Sequence, residues 1–165
     1  MFNQNEEVTQ RRERIYAYAP LILWAGVILI LGGGTGSAAQ TSRFIKPLIE
    51  FFFPSASPDT FLLVHALIRK AAHFIEYGVL ALLAVRAFRR SVVPIVWRHW
   101  AAFAFMAAMF VSIIDEVNQS FNAERTGSAS DLVLDMAGAA AAIVICVLVN
   151  VRRGTMLRQN HRAAQ

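Results

Sequence analysis

The sequence predicts an all-α membrane protein: a bundle of four transmembrane helices with a short outer interfacial segment between helices 1 and 2. Four runs approach the ~20 mostly apolar residues that cross a bilayer as a helix. Hydrophobic residues make up 56% of the 165, and mean hydropathy is +0.47. That is too apolar for an ordinary soluble domain. Lysine and arginine also gather at alternate ends of the runs. The length allows one domain at most.

The first helix is expected from about Ile15 to Leu31, after a basic tail carrying Arg11, Arg12 and Arg14. With the small triplet Ser37-Ala38-Ala39 it has some marks of a signal peptide. The run is longer than the usual apolar region of such peptides and three more spans follow, so it is expected to be retained. The segment from Arg43 to Phe53 is too short and too charged to span, and its aromatics suit the outer interface. An aromatic-rich plug over the helices fits it equally well. Pro54-Ser55-Ala56-Ser57-Pro58 breaks it. Further helices follow from about Leu62 to Phe88, Trp97 to Gln119, and Asp131 to Val151. The expected organisation is an N-terminal tail 1–14, a membrane domain 15–151 and a basic C-terminal tail 152–165. The single Cys146 cannot form an internal disulfide and reads as a packing residue.

Alternating spans place eleven basic residues on one side: Arg11, Arg12, Arg14, Arg86, Arg89, Arg90, Arg98, Arg152, Arg153, Arg158 and Arg162. Only Arg43, Lys46, Arg69, Lys70 and Arg125 fall on the other. The first side is expected to be cytoplasmic, with both termini inside. The inner arginines signal topology and attract anionic lipid. They lack the aromatic or motif context of a nucleic-acid site, so no nucleic-acid partner is expected.

Ionisable residues inside such runs cost a few kcal/mol each and rarely face lipid, so they point to function. Lys70, His73, Glu76 and Tyr77 interrupt the second run. Asp115, Glu116 and Gln119 end the third, and Asp131 and Asp135 begin the fourth. Counting ~1.5 Å per residue from the arginine at each inner end brings Lys70, Asp115 and Asp135 to one depth. Gln119 and Asp131 lie one turn further out. Lys70, His73 and Tyr77 fall within one face about 60° wide. Asp115 with Gln119, and Asp131 with Asp135, are i, i+4 pairs. Gly138 and Ala142 continue the last face, where small residues let another helix approach. These positions predict one polar pocket in the outer half, roofed by the loop with Glu124 and Arg125.

Bland readings compete with this. Ser128 to Asp131 fits a capping box, with the acid at the favourable end of the helix dipole. Asp135, one turn deeper, is less easily explained that way. Asp115 and Glu116 sit near a helix C-terminus, where negative charge is disfavoured, and an ion pair with Lys70 would explain them. Glu76 suits a structural role beside Arg69, Lys70 or His73. His73 alone would be an ordinary core histidine; among carboxylates it is a candidate. His65, His99 and His161 lack such company. His73, Asp115, Glu116 and Asp135 offer mixed ligands, but no metal signature is present and no metal or other cofactor is expected. Ser112 and Ser128 carry no mark of an activated nucleophile. Gly32-Gly33-Gly34-Thr35-Gly36 lacks the Lys-Ser/Thr of a phosphate-binding loop.

Lys70-x-x-His73-x-x-x-Tyr77-x-x-Leu80, then Asp115-Glu116-x-x-Gln119-x-Phe121, resembles the VanZ-like integral membrane proteins. Arg125, Asp131 and Gly138 continue the pattern in order, over roughly residues 20 to 150. Arg69 stands where that family often has Asp, and Asp135 where it often has Asn. The resemblance implies a four-helix domain in the bacterial cytoplasmic membrane and a cell-envelope role. The family is named for a protein associated with low-level teicoplanin resistance.

Three functions follow as expectations. The first is a non-enzymatic pocket for an envelope lipid headgroup or lipid-linked precursor. Lys70 and Arg125 would meet its anionic groups; His73, Glu76, Tyr77, Asp115, Glu116, Gln119, Asp131 and Asp135 would line it. The second is a membrane enzyme acting on a lipid-linked glycan or phospholipid, with His73, Asp115 or Glu116 as general acid or base. The third is a scaffold for envelope protein partners, whose polar cluster is only an ion-pair network.

Overall fold

The computed structural model describes residues 4–32, 38–55, 57–121 and 129–163. All secondary structure among them is helical: α1 (Gln4–Ile30), α2 (Ala38–Phe52), α3 (Pro58–Phe88), α4 (Pro94–Arg98), α5 (Trp100–Ser120) and α6 (Ala129–Ala163). Four of the helices contain spans long and apolar enough to cross a membrane: Val8–Ile30, Pro58–Phe88, Trp100–Ser120 and Ser130–Arg152. Their most apolar windows are only 17–39% buried within the protein. Side chains such as Ile22, Leu23, Phe110 and Val133 stay exposed, and it is hydrocarbon that would cover them.

The helix ends differ from the sequence expectation in four places, one of them the last helix, which runs on through the basic tail to Ala163 rather than ending near Val151. α1 begins eleven residues before Ile15, carrying the arginine tail as helix. α3 begins at Pro58: Ser57 accepts a hydrogen bond from the Thr60 amide (3.2 Å), Pro58 needs no amide partner, and Asp59 suits the dipole. Trp97 belongs to the separate short α4, because Pro94 starts a new helix and His99 interrupts it before α5. The segment after helix 1 forms α2, with Arg43, Lys46 and Glu50 along one side and a Lys46–Glu50 ion pair of 3.8 Å. Among its described side chains Ile49 is buried, while Leu48, Phe51 and Phe52 are exposed.

α3 is the hub and packs against α1, α2, α5 and α6. α5 packs on α1 and α6. α3 and α6 run in the same direction, and α1 and α5 run opposite to them. Small residues make the core close: Ala81, Ala84, Ala104, Ala108, Ala139 and Ala142 are buried together with Tyr77 and Leu80. The closest approach is α3 to α6. A Cβ on Gly138 would collide with the Phe74 carbonyl, and Gly78 lies over the Gly138 carbonyl oxygen.

Candidate functional site

On α5 a single stripe is buried: Ala104, Ala108, Ser112, Asp115 and Gln119. It is apolar at one end and polar at the other, at the spacing that keeps one helix face inward. On α3 the buried face runs through His65, His73, Tyr77 and Leu80. On α6 it includes Asp131, Asp135, Gly138 and Ala139. The polar parts of the three stripes meet at the end of the bundle where α3 and α6 begin.

Asp135 is the centre. It is 1% exposed; Ser112 Oγ donates to its Oδ2 at 2.7 Å, and His73 Nδ1 stands 3.3 Å from its Oδ1. The second contact is close but lacks hydrogen-bond geometry. One turn nearer the end, Arg69 donates to Asp131 Oδ2 at 3.2 Å. The Arg69 side chain is a third exposed, while that of Asp131 is 6% exposed. Arg69 to His73 and Asp131 to Asp135 are both four-residue steps. The parallel course of α3 and α6 therefore keeps the two contacts in register, one turn apart.

On α5, Gln119 Nε2 donates to Asp115 Oδ2 at 2.7 Å, and both residues are buried. α1 closes this side. Its last turn widens at Leu31 and Gly32, and a Cβ on Gly32 would fall on the Asp115 carboxylate. Asn118 donates to the Leu29 carbonyl at 3.1 Å, and Trp24 to the Glu76 carbonyl at 3.0 Å, tying α1 to α5 and α3. The Tyr77 hydroxyl lies deeper, facing Ser112, Asp115 and Asp135, and none of its contacts among the described residues has full hydrogen-bond geometry.

The structure thus brings together His73, Tyr77, Asp115, Gln119, Asp131 and Asp135. Glu76 and Glu116 are half-buried at the margin. Lys70 is not part of the cluster: it is exposed, and the cation that reaches α6 is Arg69. Arg69 stands about 40° to one side of His73 and Lys70 about 60° to the other. The packing of α6, with Asp131, on the Arg69 flank decides between them. The expected level of Lys70 with Asp115 and Asp135 therefore does not make them neighbours. Arg125, Glu124 and the Ser128 cap lie outside the described residues. Ser112, which nothing in its local sequence marks as reactive, is a central member. Its signal was its place three residues before Asp115, on the same stripe.

Chemically, Asp135 stands between Ser112 and His73. A histidine base would have to stand between serine and carboxylate to activate the hydroxyl, so this order does not make Ser112 a nucleophile. Asp135 can orient the His73 ring through Nδ1, leaving Nε2 for proton transfer or hydrogen bonding. Among the described residues no three His, Cys, Asp or Glu side chains converge as a metal-ligand set.

No curated protein and no solved structure matches the chain. A family model described as VanZ/LLP1 matches residues 15–150, which takes in Pro58–Phe88 and Trp100–Ser120 whole, most of the first and last spans, and every polar residue placed above. The chain is a membrane protein with four apolar helices and belongs to the VanZ/LLP1 family.

Proposed function

We propose that the polar cluster is a binding site, facing the outside of a bacterial cytoplasmic membrane, for the headgroup of an envelope lipid or lipid-linked cell-wall precursor. The observation that carries this is the state of the buried polar atoms. Native proteins leave few such atoms without partners. Here the Tyr77 hydroxyl is buried without a contact of hydrogen-bond geometry among the described residues, and His73 Nδ1 and Asp135 Oδ1 meet each other at 3.3 Å without that geometry, in helices of transmembrane length. Within lipid, every such group raises the cost, by about 1–3 kcal/mol each. A ligand carrying hydroxyls and phosphate would satisfy donors and acceptors together. Arg69, partly exposed above Asp131, is the cation placed to meet an anionic group first. Glycopeptide resistance or envelope homeostasis is the physiological role that such binding suits.

A membrane enzyme is the second reading, and the contact of His73 with Asp135 favours it. In that reading His73, oriented by Asp135, moves a proton on a bound lipid-linked substrate.

Sidedness tests the proposal. Arginines cluster at the end opposite the polar cluster, which supports a cytoplasmic position for that end. In a Cys146→Ser background, a cysteine at Asp59 is expected to react with an impermeant maleimide from outside intact cells, and one at Ser91 only after lysis. Labelling in the reverse pattern would place the cluster toward the cytoplasm and remove the outward-facing site.

A further inference from the structure

A cavity lies at the opposite end of α3, far from the cluster. Its volume is about 490 Å³, and Leu82, Val85, Arg86, Arg89, Arg90 and Cys146 line it. Residues 82, 86, 89 and 90 follow one another at i, i+4, i+7 and i+8, so they form one stripe on α3 and the turn after it. Along that stripe the lining changes from apolar to basic. Leu82, Val85 and Cys146 form the deeper wall; three guanidinium-bearing side chains form the rim at the end of the span.

Among the described residues no carboxylate pairs with Arg86, Arg89 or Arg90. Ion pairs among the described residues, such as Lys46–Glu50, Arg69–Asp131 and His73–Asp135, lie elsewhere. Arg89 is held in place by Trp100, whose ring lies 5.5 Å below the guanidinium. Trp97 and Trp100 mark this level as the membrane–water interface, where aromatic side chains of this type gather. Arg90 also borders a neighbouring cavity of about 480 Å³, lined by Gln10, Glu13, Arg14, Tyr16 and Val92.

An apolar wall leading to unpaired cations at the depth of the headgroups matches one kind of molecule in charge and in polarity. We infer that this cavity binds an anionic phospholipid, with the phosphate on Arg86, Arg89 and Arg90 and an acyl chain along Leu82 and Cys146. The site is independent of the polar cluster and of its proposed ligand. General attraction of basic residues to an anionic surface is worth ~1 kcal/mol per charge, or about fivefold in binding. A built site must exceed that for these arginines and not for others.

The test uses the full chain, purified in detergent and examined by native mass spectrometry. Phosphatidylglycerol and phosphatidylcholine with identical acyl chains are added in turn. The expected result is preferential retention of phosphatidylglycerol, lowered on the order of 100-fold by Arg86→Gln with Arg90→Gln, beyond the roughly 25-fold that two charges give by general attraction. Arg86→Lys with Arg90→Lys, which keeps the charge, is expected to retain most of the binding. Arg11→Gln with Arg12→Gln removes the same charge from the exposed start of α1 and is expected to leave retention unchanged. Equal retention of the two lipids would overturn the inference. So would an equal loss in the Arg11/Arg12 variant, which would show general attraction only. Displacement of the lipid by excess inorganic phosphate would also overturn it, by showing a small-anion site.

Discussion

Gly138→Ala is expected to destabilise the protein more than any other single-methyl addition in the described core. The added Cβ would meet the Phe74 carbonyl oxygen below contact distance, with the Phe74 carbonyl carbon at 3.0 Å and its Cα at 3.1 Å. All three are backbone atoms of α3, so no rotamer change relieves the clash and α6 must move away. Overpacking of a tight core costs about 1–3 kcal/mol even where side chains give way. Here the displacement also stretches the Arg69–Asp131 and His73–Asp135 contacts, which span the same helix pair. A drop of at least ~3 kcal/mol is expected, read as a lowered unfolding temperature in detergent. Gly26→Ala is the control. Nothing lies within 4 Å of a Cβ there, and alanine favours the helix, so its stability is expected to match or exceed wild type. Equal unfolding temperatures for Gly138→Ala and wild type would refute the close α3–α6 crossing.

The second large effect is expected at Asp135. Asp135→Ala removes the acceptor of the Ser112 hydroxyl and the carboxylate beside His73, and leaves a void where a 1% exposed side chain stood. Breaking a buried charged pair from one side costs about 3–5 kcal/mol. Asp135→Asn keeps an oxygen that can accept from Ser112 and fills the same volume, so it is expected to lose at most about a third as much. The order wild type, Asn, Ala in chemical denaturation of the detergent-solubilised protein is the expected outcome. A neutral Asp135→Ala would mean that the cluster does not hold the helices together.

How much of this was legible in the chain depends on what each residue needs. Four spans could be read because lipid imposes length and apolarity on every crossing helix. The buried faces of α5 and α6 could be read because Asp115 with Gln119, and Asp131 with Asp135, are polar pairs at helical spacing within otherwise apolar runs. α3 was harder. Arg69 and Lys70 are adjacent cations on either side of the His73 direction, and the periodicity of one helix cannot say which flank its neighbour takes. Ser112 was passed over because a serine in an apolar run carries no charge and no motif. Its place follows only once α6 brings Asp135 opposite. The early start of α1 and the short α4 depend on polar, amphipathic or proline-broken helix that hydropathy alone does not score.

The central claim is that the cluster at Arg69, His73, Asp131 and Asp135 binds an envelope ligand rather than only joining helices. The exchange Arg69→Met with Asp131→Asn tests it most directly. Neutralising both partners avoids stranding either one, and similar-sized neutral replacements of an ion pair are often without cost to stability. A ligand that binds only the folded state raises stability in proportion to its binding. The measurement is the unfolding temperature in detergent, with and without a total lipid extract of bacterial envelopes. It is made on a background of Arg86→Gln and Arg90→Gln so that the arginine cavity does not contribute. The account predicts that the exchanged protein equals its parent without extract, and that only the parent is stabilised when extract is added. Equal stabilisation of both proteins, or of neither, would contradict it.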